Sequence, residues 1–391
     1  MKLFRKVLAS GAVFLAPRKS FKKPRKVDVL IYDKTGSDSL IPFFQKYDYA
    51  VLSVRGETIN SYCLLKCLFK KKFWTESSFE TYIFTYVKTV RPKVVITFID
   101  NDFRFYKIAT NCPSTKTIFI QNGRRAILND VFEKLEAHKE FKVDYMLVAG
   151  EAIGKKYREF IDGEVIPIGS LRNNQVENSS TVEEGKILFI SSWSEQPKRG
   201  LPFRTLMDGT TVSWDDYFNI EEKVLNFLDH WCAQNNKVLQ ICARESGRLN
   251  GEEEYYAKRL GSCTWEFLAR YGNSSTYEYL SKSHIVVFID STVGYEALSR
   301  GKRTAAFVCR VIGKPHKSES FGWPADLPDS GSFWSNETSE KEFERIMDYL
   351  NSIGDHEWAA ECRNLIPQIM AFDEGNKHLE ELLNKLLPSR D

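Results

Sequence analysis

The sequence has no apolar run long enough to cross a lipid bilayer as a helix. Its apolar segment near the start, residues 7–16, is only ten residues long, whereas a membrane-spanning helix needs about 20. The eight cysteines include no CxxC pair, so no zinc ribbon is predicted. Several cysteines lie in apolar runs, where a free thiol packs as a small hydrophobic group. We therefore expect reduced cysteines, no disulfide framework and a reducing compartment.

Two familiar motifs of nucleotide chemistry are also missing. The chain has no GxxxxGK[ST] loop, which excludes a Walker-type ATPase or GTPase. It has no GxGxxG fingerprint either, so hydride transfer from a dinucleotide has no support.

Acidic residues are missing from the first 26 positions, which carry nine lysines and arginines. Because the whole chain has a formal net charge of +3, subtracting those nine leaves about −6 on the remainder. A basic tail on an acidic body favours an anionic membrane surface as partner, rather than nucleic acid. Dense positive charge after Pro17 disfavours a secretion signal, and we expect a peripheral position on the inner membrane. A disordered basic tail without a membrane role is the alternative.

Apolar runs alternate with helical patterns along most of the chain. Runs such as VDVLIY and VVITFI are unbroken, which is typical of parallel strands buried on both faces. This alternation predicts an α/β fold with doubly wound parallel sheets. The predicted strands are 27–32, 50–54, 94–99, 117–120, 145–148, 165–168, 187–190, 238–242, 285–289 and 304–308.

A polar stretch over 172–185 divides this pattern into two halves and predicts a linker. The last fifty or so residues have the amphipathic spacing of helices. We therefore expect a basic tail (1–26), two Rossmann-like domains (27–172 and 186–335) and C-terminal helices (336–391) that pack back across the domains.

The strongest motif is the strand–turn–helix pattern IVVFIDSTVGYEALSRGKRTAAF. A helix start after a buried strand offers free backbone N–H groups and a positive dipole end to a phosphate. Two hydroxyls add further donors, and a glycine lets a ligand approach the backbone closely. An ordinary strand–turn–helix with a serine N-cap explains the spacing equally well. The residues assigned to donor binding are Ser291, Thr292, Gly294, Glu296 and Lys302.

This motif resembles the STxGxEAL…GK element of capsule-polysaccharide glycosyltransferases. More of the chain, roughly 27–385, is similar to bacterial surface-carbohydrate biosynthesis transferases, through the pieces TFIDND, IQNGRR, IGSLRNN, LFISSW and FGWPADLPDSGSFWSN. The resemblance implies a GT-B architecture in which the second domain holds the nucleotide of the donor, without a metal or other cofactor. It implies sugar transfer from a nucleotide-activated donor to a growing polysaccharide or lipid-linked acceptor in the bacterial cytoplasm.

Relatives within this resemblance favour CMP-Kdo, a CMP-activated keto-acid sugar, as the donor. The chain departs from bacterial sialyltransferases because it lacks their HP dipeptide and has Pro315 before His316 instead. A keto-acid donor needs an arginine for its carboxylate, from Arg124, Arg125 or Arg244. A sugar-nucleotide epimerase, a pyruvyl or glycerol-phosphate transferase of the same shape, and a non-catalytic polysaccharide-assembly partner remain open.

Polar residues follow the predicted strand 94–99. Ligands of open α/β sheets bind at the carboxyl ends of strands, so Asp100 or Asp102 is the candidate base for the acceptor hydroxyl. Asn101 is a candidate sugar contact. Alternatively, Asp102 caps the helical stretch that follows. The letters Asp-Asn-Asp also match a metal motif, but we assign no metal.

A second polar cluster follows the predicted strand 117–120. Gln121, Asn122 and Arg124 are candidate contacts to the acceptor or the sugar. Asn122 and the glycine after it also fit an ordinary Asn-Gly turn, which needs no ligand.

Three candidates follow strands of the second half. Ser192 and Arg244 are assigned to the donor, because an arginine can bind a phosphate through two parallel hydrogen bonds. Glu245 is the candidate nucleophile if the reaction retains configuration through a covalent intermediate. The sequence leaves inversion and retention open.

Overall fold

The protein has two six-stranded parallel sheets with helices around them, which confirms the predicted α/β fold of two Rossmann-like sheets. The structure is a computed structural model. It describes residues 18–127, 130–136, 141–177, 181–197, 201–205, 211–246, 251–272, 274–309 and 317–388, with residues 204–205 and 245–246 described by their backbone alone.

The strands are β1 (Arg18–Ser20), β2 (Val29–Tyr32), β3 (Tyr49–Leu52), β4 (Thr58–Asn60), β5 (Val94–Thr97), β6 (Lys116–Ile120), β7 (Phe141–Val148), β8 (Ile161–Pro167), β9 (Glu183–Ile190), β10 (Arg204–Thr205), β11 (Thr211–Val212), β12 (Val238–Ser246), β13 (Trp265–Arg270), β14 (Ser283–Phe288), β15 (Arg303–Phe307) and β16 (Trp334–Ser335). The helices are α1 (Ser37–Leu40), α2 (Ser61–Leu68), α3 (Lys71–Thr75), α4 (Ser78–Val90), α5 (Ile108–Asn111), α6 (Val131–Leu135), α7 (Glu151–Arg158), α8 (Leu171–Asn174), α9 (Trp214–Gln234), α10 (Glu252–Ala257), α11 (Ser275–Lys282), α12 (Thr292–Ser299), α13 (Glu340–Ser352), α14 (Asp355–Cys362), α15 (Ile366–Ile369) and α16 (Lys377–Leu386). Short 3₁₀ helices cover Ile41–Phe44, Phe105–Lys107, Lys317–Glu319 and Glu374–Asn376.

Both sheets are parallel, and they differ in how many strands precede the point where the strand order reverses. The first has the order β3-β2-β5-β6-β7-β8 and the second has the order β13-β12-β9-β14-β15-β16. Strands β2 and β14 are buried at every position, because helices cover both faces of each sheet. This double burial is why they read as unbroken apolar runs in the sequence. Two small ribbons, β1 with β4 and β10 with β11, lie outside the sheets.

Strand β13 is not among the predicted strands, and the helical pattern over 103–110 forms only short helices. Strand β13 is an edge strand whose six residues are all half-buried, so it lacks the continuous apolar run that marks its neighbours. Residues 105–111 form a 3₁₀ turn followed by the four-residue helix α5.

The polar stretch 172–185 is more than a linker, because part of it is buried. Asn173 and Asn174 in α8 are 0% and 1% exposed. The Asn173 side chain donates to Ser299 Oγ at 3.1 Å, and the Asn174 side chain donates to Asn376 Oδ1 at 3.0 Å. These amides fix the path of the chain between the two sheets, which their polarity alone does not predict.

The C-terminal helices contact both sheets. Helix α13 packs on the second sheet, where the ring centroids of Phe343 and Phe307 lie 4.4 Å apart. In α16, Leu379 belongs to the apolar cluster of the first sheet. The connecting chain passes Gly169, which has a φ of +77° and where a Cβ would lie 1.9 Å from the carbonyl oxygen of Ala371. A glycine is therefore required at this crossing.

Candidate functional site

Each sheet reverses its strand order at one point. In the first sheet, β3 lies on one side of β2 and β5 on the other; in the second, β12 and β13 lie on one side of β9 and β14 to β16 on the other. Open α/β sheets bind ligands outside the carboxyl ends of the strands at such a reversal. Ligands are therefore expected beside the segments that follow β2 and β5, and β9 and β14.

Helix α12 begins at the reversal point of the second sheet. Ser291 caps it, because its Oγ accepts the N–H of Val293 at 3.3 Å. The Oγ1 of Thr292 accepts the backbone N–H of Arg124 at 3.1 Å. Both hydroxyl residues are half-buried. The start of α12 therefore lies directly against the loop that follows β6 of the first sheet.

Gly294 has a packing role, which differs from the close ligand approach that the sequence suggests. A Cβ at this position would lie 2.0 Å from Cγ of Phe288 in β14. The missing side chain lets α12 lie against its own preceding strand, so packing alone accounts for this glycine.

Glu296 and Lys302 are occupied by protein contacts, unlike the donor-facing positions that the sequence predicts. Glu296 is 5% exposed and accepts hydrogen bonds from Tyr277, at 3.0 Å, and from Ser170. Burial raises the pKa of its carboxyl. The Lys302 ammonium donates to the carbonyl of Ser281, and burial lowers its pKa. These two side chains contact protein groups because the positions after the first turn of α12 lie inside the protein.

The loop after β6 is braced from within. The Gln121 side chain donates to the carbonyl of Gly123 at 2.8 Å and accepts the N–H of Ala149 at 2.9 Å. Gly123 has a φ of +89°, and a Cβ there would lie 3.5 Å from Thr292 Oγ1. Gln121 therefore shapes the loop, whereas Asn122 is exposed.

Arg124 brings a cation to the start of α12. Its Nη2 donates to the carbonyls of Ser318 and Ser320, at 3.0 and 3.2 Å. The guanidinium lies 6.0 Å from the ring centroid of Tyr295. Its Nε is buried and has no hydrogen-bond partner among the described residues. Buried polar groups normally have a hydrogen-bond partner, so this unpaired N–H distinguishes Arg124 from the other residues of the loop.

Asp100 is completely buried, at 0% exposed. Its carboxylate accepts two hydrogen bonds from Arg125, one of them from Nε at 2.7 Å. It also accepts the Tyr157 hydroxyl and the N–H of Asn122. Because Arg125 is only 12% exposed, this is a buried ion pair. Its geometry suits holding the loop after β6, whereas a base needs an oxygen open to substrate.

Asp102 is more accessible, with 12% of its side chain exposed. Arg104 donates to its two oxygens at 2.7 and 2.6 Å, and the Tyr32 hydroxyl donates at 2.8 Å. The neighbouring Asn101 is exposed. The base role of these two aspartates stays a prediction.

A buried network of carboxylates lies behind the end of β9. Ser192 donates to Glu221 at 2.9 Å, and Ser191 donates to Glu252 at 2.6 Å. The Tyr256 hydroxyl lies 2.7 Å from Ser191 Oγ and 3.0 Å from Glu221. Glu221 and Glu252 are 0% and 1% exposed. The network fixes the turn that leads from β9 into the site.

Arg244 reaches this turn from β12. Its Nη1 donates to the carbonyls of Ser192 and Trp193, at 3.2 and 2.9 Å, and the residue is exposed. The side chain of Glu245 and the whole of His316 lie outside the described residues, so the structure does not bear on them.

Three supporting residues escaped the sequence analysis: Glu221, Glu252 and Tyr217, whose hydroxyl donates to Asp290 at 2.8 Å. Glu221 has a signal, since it lies four residues after Tyr217 and four before the buried Leu225, on the inner face of α9. The sequence gives no signal for Glu252. It is the first of three consecutive glutamates, and nothing in the pattern shows that it is the buried one of the three.

Within the described ranges, no three His, Cys, Asp or Glu side chains are placed so that they could hold a metal ion. None of the described helices is long and apolar enough to cross a membrane. The eight cysteines are all free thiols.

The chain was compared with protein-family models, with proteins of curated function and with solved structures. The model of a family described as "putative O-antigen biosynthesis protein" matches residues 118–387, which is more than half of the chain. No protein with a curated function matches the sequence.

Solved structures are similar to the chain over most of its length. A Listeria monocytogenes protein described as "putative UDP-N-acetylglucosamine 2-epimerase" is 10% identical with a TM-score of 0.54, over 93% of this chain and 98% of that one. Another UDP-N-acetylglucosamine 2-epimerase is 12% identical with a TM-score of 0.52, over 94% and 98%. A glycosyltransferase from Rickettsia africae is 12% identical with a TM-score of 0.45, over 94% and 100%.

Proposed function

The chain belongs to this O-antigen biosynthesis family, and from that premise we propose that it is a glycosyltransferase. It moves a sugar from a nucleotide-activated donor to a growing surface polysaccharide or a lipid-linked acceptor. The observation that carries the proposal is the contact at the reversal point of the second sheet, where Thr292 at the start of α12 meets the backbone of Arg124. This contact brings the helix start and the loop after β6 together.

The donor phosphate binds at the start of α12 in this proposal. The hydroxyls of Ser291 and Thr292 supply donors, and the helix dipole favours negative charge. Arg124 contacts the start of α12, and Arg244 lies in β12, in the same sheet as β14. In this proposal the two arginines supply the positive charge that a leaving phosphate needs. Ser192 lies on the turn between them.

A CMP-Kdo-like donor fits the arginines. A keto-acid sugar carries a carboxylate in addition to its phosphate, so it needs a second cationic contact. The unpartnered Nε of Arg124 is one donor, and the exposed guanidinium of Arg244 is another.

The acceptor binds beside the first sheet, where Asn101 and Asn122 are exposed. Asp102 is the base in this proposal, because part of its carboxylate is open and Asp100 is held by Arg125. It takes the proton of the acceptor hydroxyl as the new sugar–oxygen bond forms.

The membrane role of the basic tail also stays a proposal. The nine cations of residues 1–26 suit a bilayer that carries the lipid-linked acceptor. Residues 1–17 lie outside the described residues.

Thermal unfolding with a panel of nucleotides tests the donor site. A ligand at about 100 times its dissociation constant adds roughly 2.7 kcal/mol to the free energy of unfolding. Selective stabilisation by CMP, among CMP, CDP, UMP, UDP, GDP, ADP and dTDP, is the expected result. Selective stabilisation by UDP or GDP would still support a glycosyltransferase, but its donor would be a nucleotide-activated hexose and not a keto-acid sugar.

Two serine variants separate the donor site from helix stability. Ser291 and Ser77 both cap helices through their side chains, so alanine at either costs about 1 kcal/mol of stability. Only Ser291→Ala should shrink the nucleotide-dependent shift. If no nucleotide stabilises the wild type and both variants behave alike, the donor site at α12 is refuted.

Product analysis separates a transferase from an epimerase. An epimerase changes its sugar nucleotide without any acceptor, whereas a transferase releases the nucleotide when a lipid-linked acceptor is added. We expect acceptor-dependent release. Conversion of the sugar nucleotide alone would favour the epimerase, whose fold this chain shares.

A further inference from the structure

Exposed apolar side chains are concentrated near the amino-terminal end of the described chain. Seven large apolar side chains are exposed within the described residues, and four of them lie between positions 21 and 74. Phe21, Leu65, Phe69 and Trp74 are 76%, 58%, 90% and 50% exposed. Single exposed apolar residues are common on protein surfaces, but a group of this kind marks an interaction site.

Helix α2 turns two of these side chains outward. Cys63 and Cys67 are four residues apart and fully buried, so they define the inner face of the helix. Leu65 and Phe69 have the same spacing and lie on the opposite, exposed face. The buried cysteines therefore anchor the helix in an orientation that leaves two apolar side chains in solvent.

Helix α3 presents Trp74 next to them. Phe73 is 1% exposed and anchors the helix. The indole N–H of Trp74 donates to the carbonyl of Leu68 at 3.0 Å, which joins this ring to the end of α2. The exposed ring is therefore held in place.

The segment around Phe21 is fixed to the start of α2. Asn60 caps this helix by accepting the N–H of Cys63 at 3.0 Å, and its amide donates to the carbonyl of Lys22 at 2.8 Å. Strand β1 pairs in parallel with β4, which ends at Asn60. We call residues 19–23 and 65–74 together the aromatic ridge.

The aromatic ridge is basic. Residues 61–75 contain four lysines and no acid, and residues 18–26 contain six basic residues and no acid. Lys70 is half-buried and donates to Thr85 at 2.7 Å. Glu76 lies at the edge, 3.8 Å from Lys72. The exposed lysines of the ridge are Lys19, Lys22, Lys23, Lys66, Lys71 and Lys72.

We propose that the aromatic ridge is a docking surface for an anionic lipid bilayer. Aromatic and leucine side chains enter the boundary between headgroups and acyl chains, and lysines around them meet anionic headgroups. The apolar run 7–16 and its basic neighbours precede β1 directly in sequence, so the ridge continues a segment of the same chemistry. The surface belongs to the first domain and does not depend on the proposed sugar transfer.

Vesicle flotation of the full chain tests the ridge. We expect binding to vesicles of phosphatidylglycerol and phosphatidylcholine in equal parts, weaker binding in high salt, and little binding to pure phosphatidylcholine. Phe69→Ser/Trp74→Ser should weaken binding on the order of tenfold, because it removes the inserted apolar area. Lys71→Gln/Lys72→Gln should weaken it by roughly twentyfold, at about fivefold for each lysine near an anionic surface.

Matched controls lie elsewhere on the surface. Leu201 is 62% exposed, and Lys282 and Lys377 are exposed. Leu201→Ser and Lys282→Gln/Lys377→Gln should bind vesicles like the wild type. All variants should keep the wild-type melting temperature within a few degrees, since none of the changed side chains is buried.

Two results would overturn the proposal. In the first, Phe69→Ser/Trp74→Ser binds the anionic vesicles as tightly as the wild type. The aromatic ridge would then have no role in membrane binding. In the second, the wild type does not bind these vesicles. Light scattering shows instead that the wild type forms oligomers and that Phe69→Ser/Trp74→Ser is monomeric. The ridge would then be an interface between copies of the chain.

Discussion

At the scale of single residues, the most constrained group in the site is the Asp100 carboxylate. Arg125 binds both of its oxygens, and Asp100 is 0% exposed. Arg125→Met leaves that carboxylate buried without its cation, which costs about 3–5 kcal/mol of unfolding free energy. Urea unfolding followed by circular dichroism measures the loss.

An exposed arginine–aspartate pair supplies the control. Arg25 lies 2.6 Å from Asp48, and their side chains are 66% and 53% exposed. Arg25→Met should therefore cost less than about 1 kcal/mol. Equal losses for the two methionine variants would show that the buried pair does not hold the loop after β6.

The sequence predicts the position of Ser291 and Thr292 at a helix start, but it does not predict the contacts of Glu296 and Lys302. Ser291 and Thr292 follow a buried strand, so their position at a helix start was predictable. The partners of Glu296 and Lys302 were not predictable, because they are distant in sequence. Tyr277 and Ser281 lie in α11, and Ser170 lies in the first domain. A single sequence does not reveal which distant side chains close around a polar residue.

At the scale of elements, predictability followed burial. Strands covered on both faces, such as β5 and β14, were found from their apolar runs. The half-buried edge strand β13 was missed, and α8 was hidden in a polar stretch because its buried asparagines bond to distant residues. Turns and edges depend on tertiary partners, which local patterns do not encode.

Helix α9 carries a testable element-scale contact. Asp229 accepts the N–H groups of Gly261, Ser262 and Cys263 at 3.1, 2.8 and 2.9 Å, so it ties the segment before β13 to the helix. Burial acts to raise the pKa of its carboxyl, but these hydrogen bonds outweigh it and lower the pKa to about 2.

The shift of the Asp229 pKa predicts a pH-dependent stability. The folded-state pKa lies below the unfolded value of about 4, so the stabilisation is present above pH 4 and is lost as pH falls through about 2. Asp229→Asn should lower the unfolding free energy by about 2 kcal/mol at neutral pH and by less near about pH 3. Asp162→Asn, at a side chain 77% exposed, should change little. A loss that is the same at both pH values would contradict the assignment.

At the scale of the whole molecule, α12 contacts the first domain at its first residue and the segment between the two sheets beyond its last turn. Its first residue, Thr292, meets Arg124 of the first domain. Beyond its last turn, Arg300 donates to the Asn173 side chain at 2.6 Å and to the carbonyl of Val176 at 2.6 Å. The proposed donor site is therefore built on the element that also sets how the domains meet.

This double attachment predicts that Arg300→Met loosens the whole molecule. The change leaves the buried acceptors of Asn173 without their donor, at a cost of about 1–3 kcal/mol. It should increase the radius of gyration in solution scattering and split thermal unfolding into two transitions, one for each domain. Arg345→Met is the control, because Arg345 bonds to Glu342 within α13 and is 42% exposed. A compact Arg300→Met protein that unfolds in one step would show that the contact at Thr292 and the C-terminal helices hold the domains together without it.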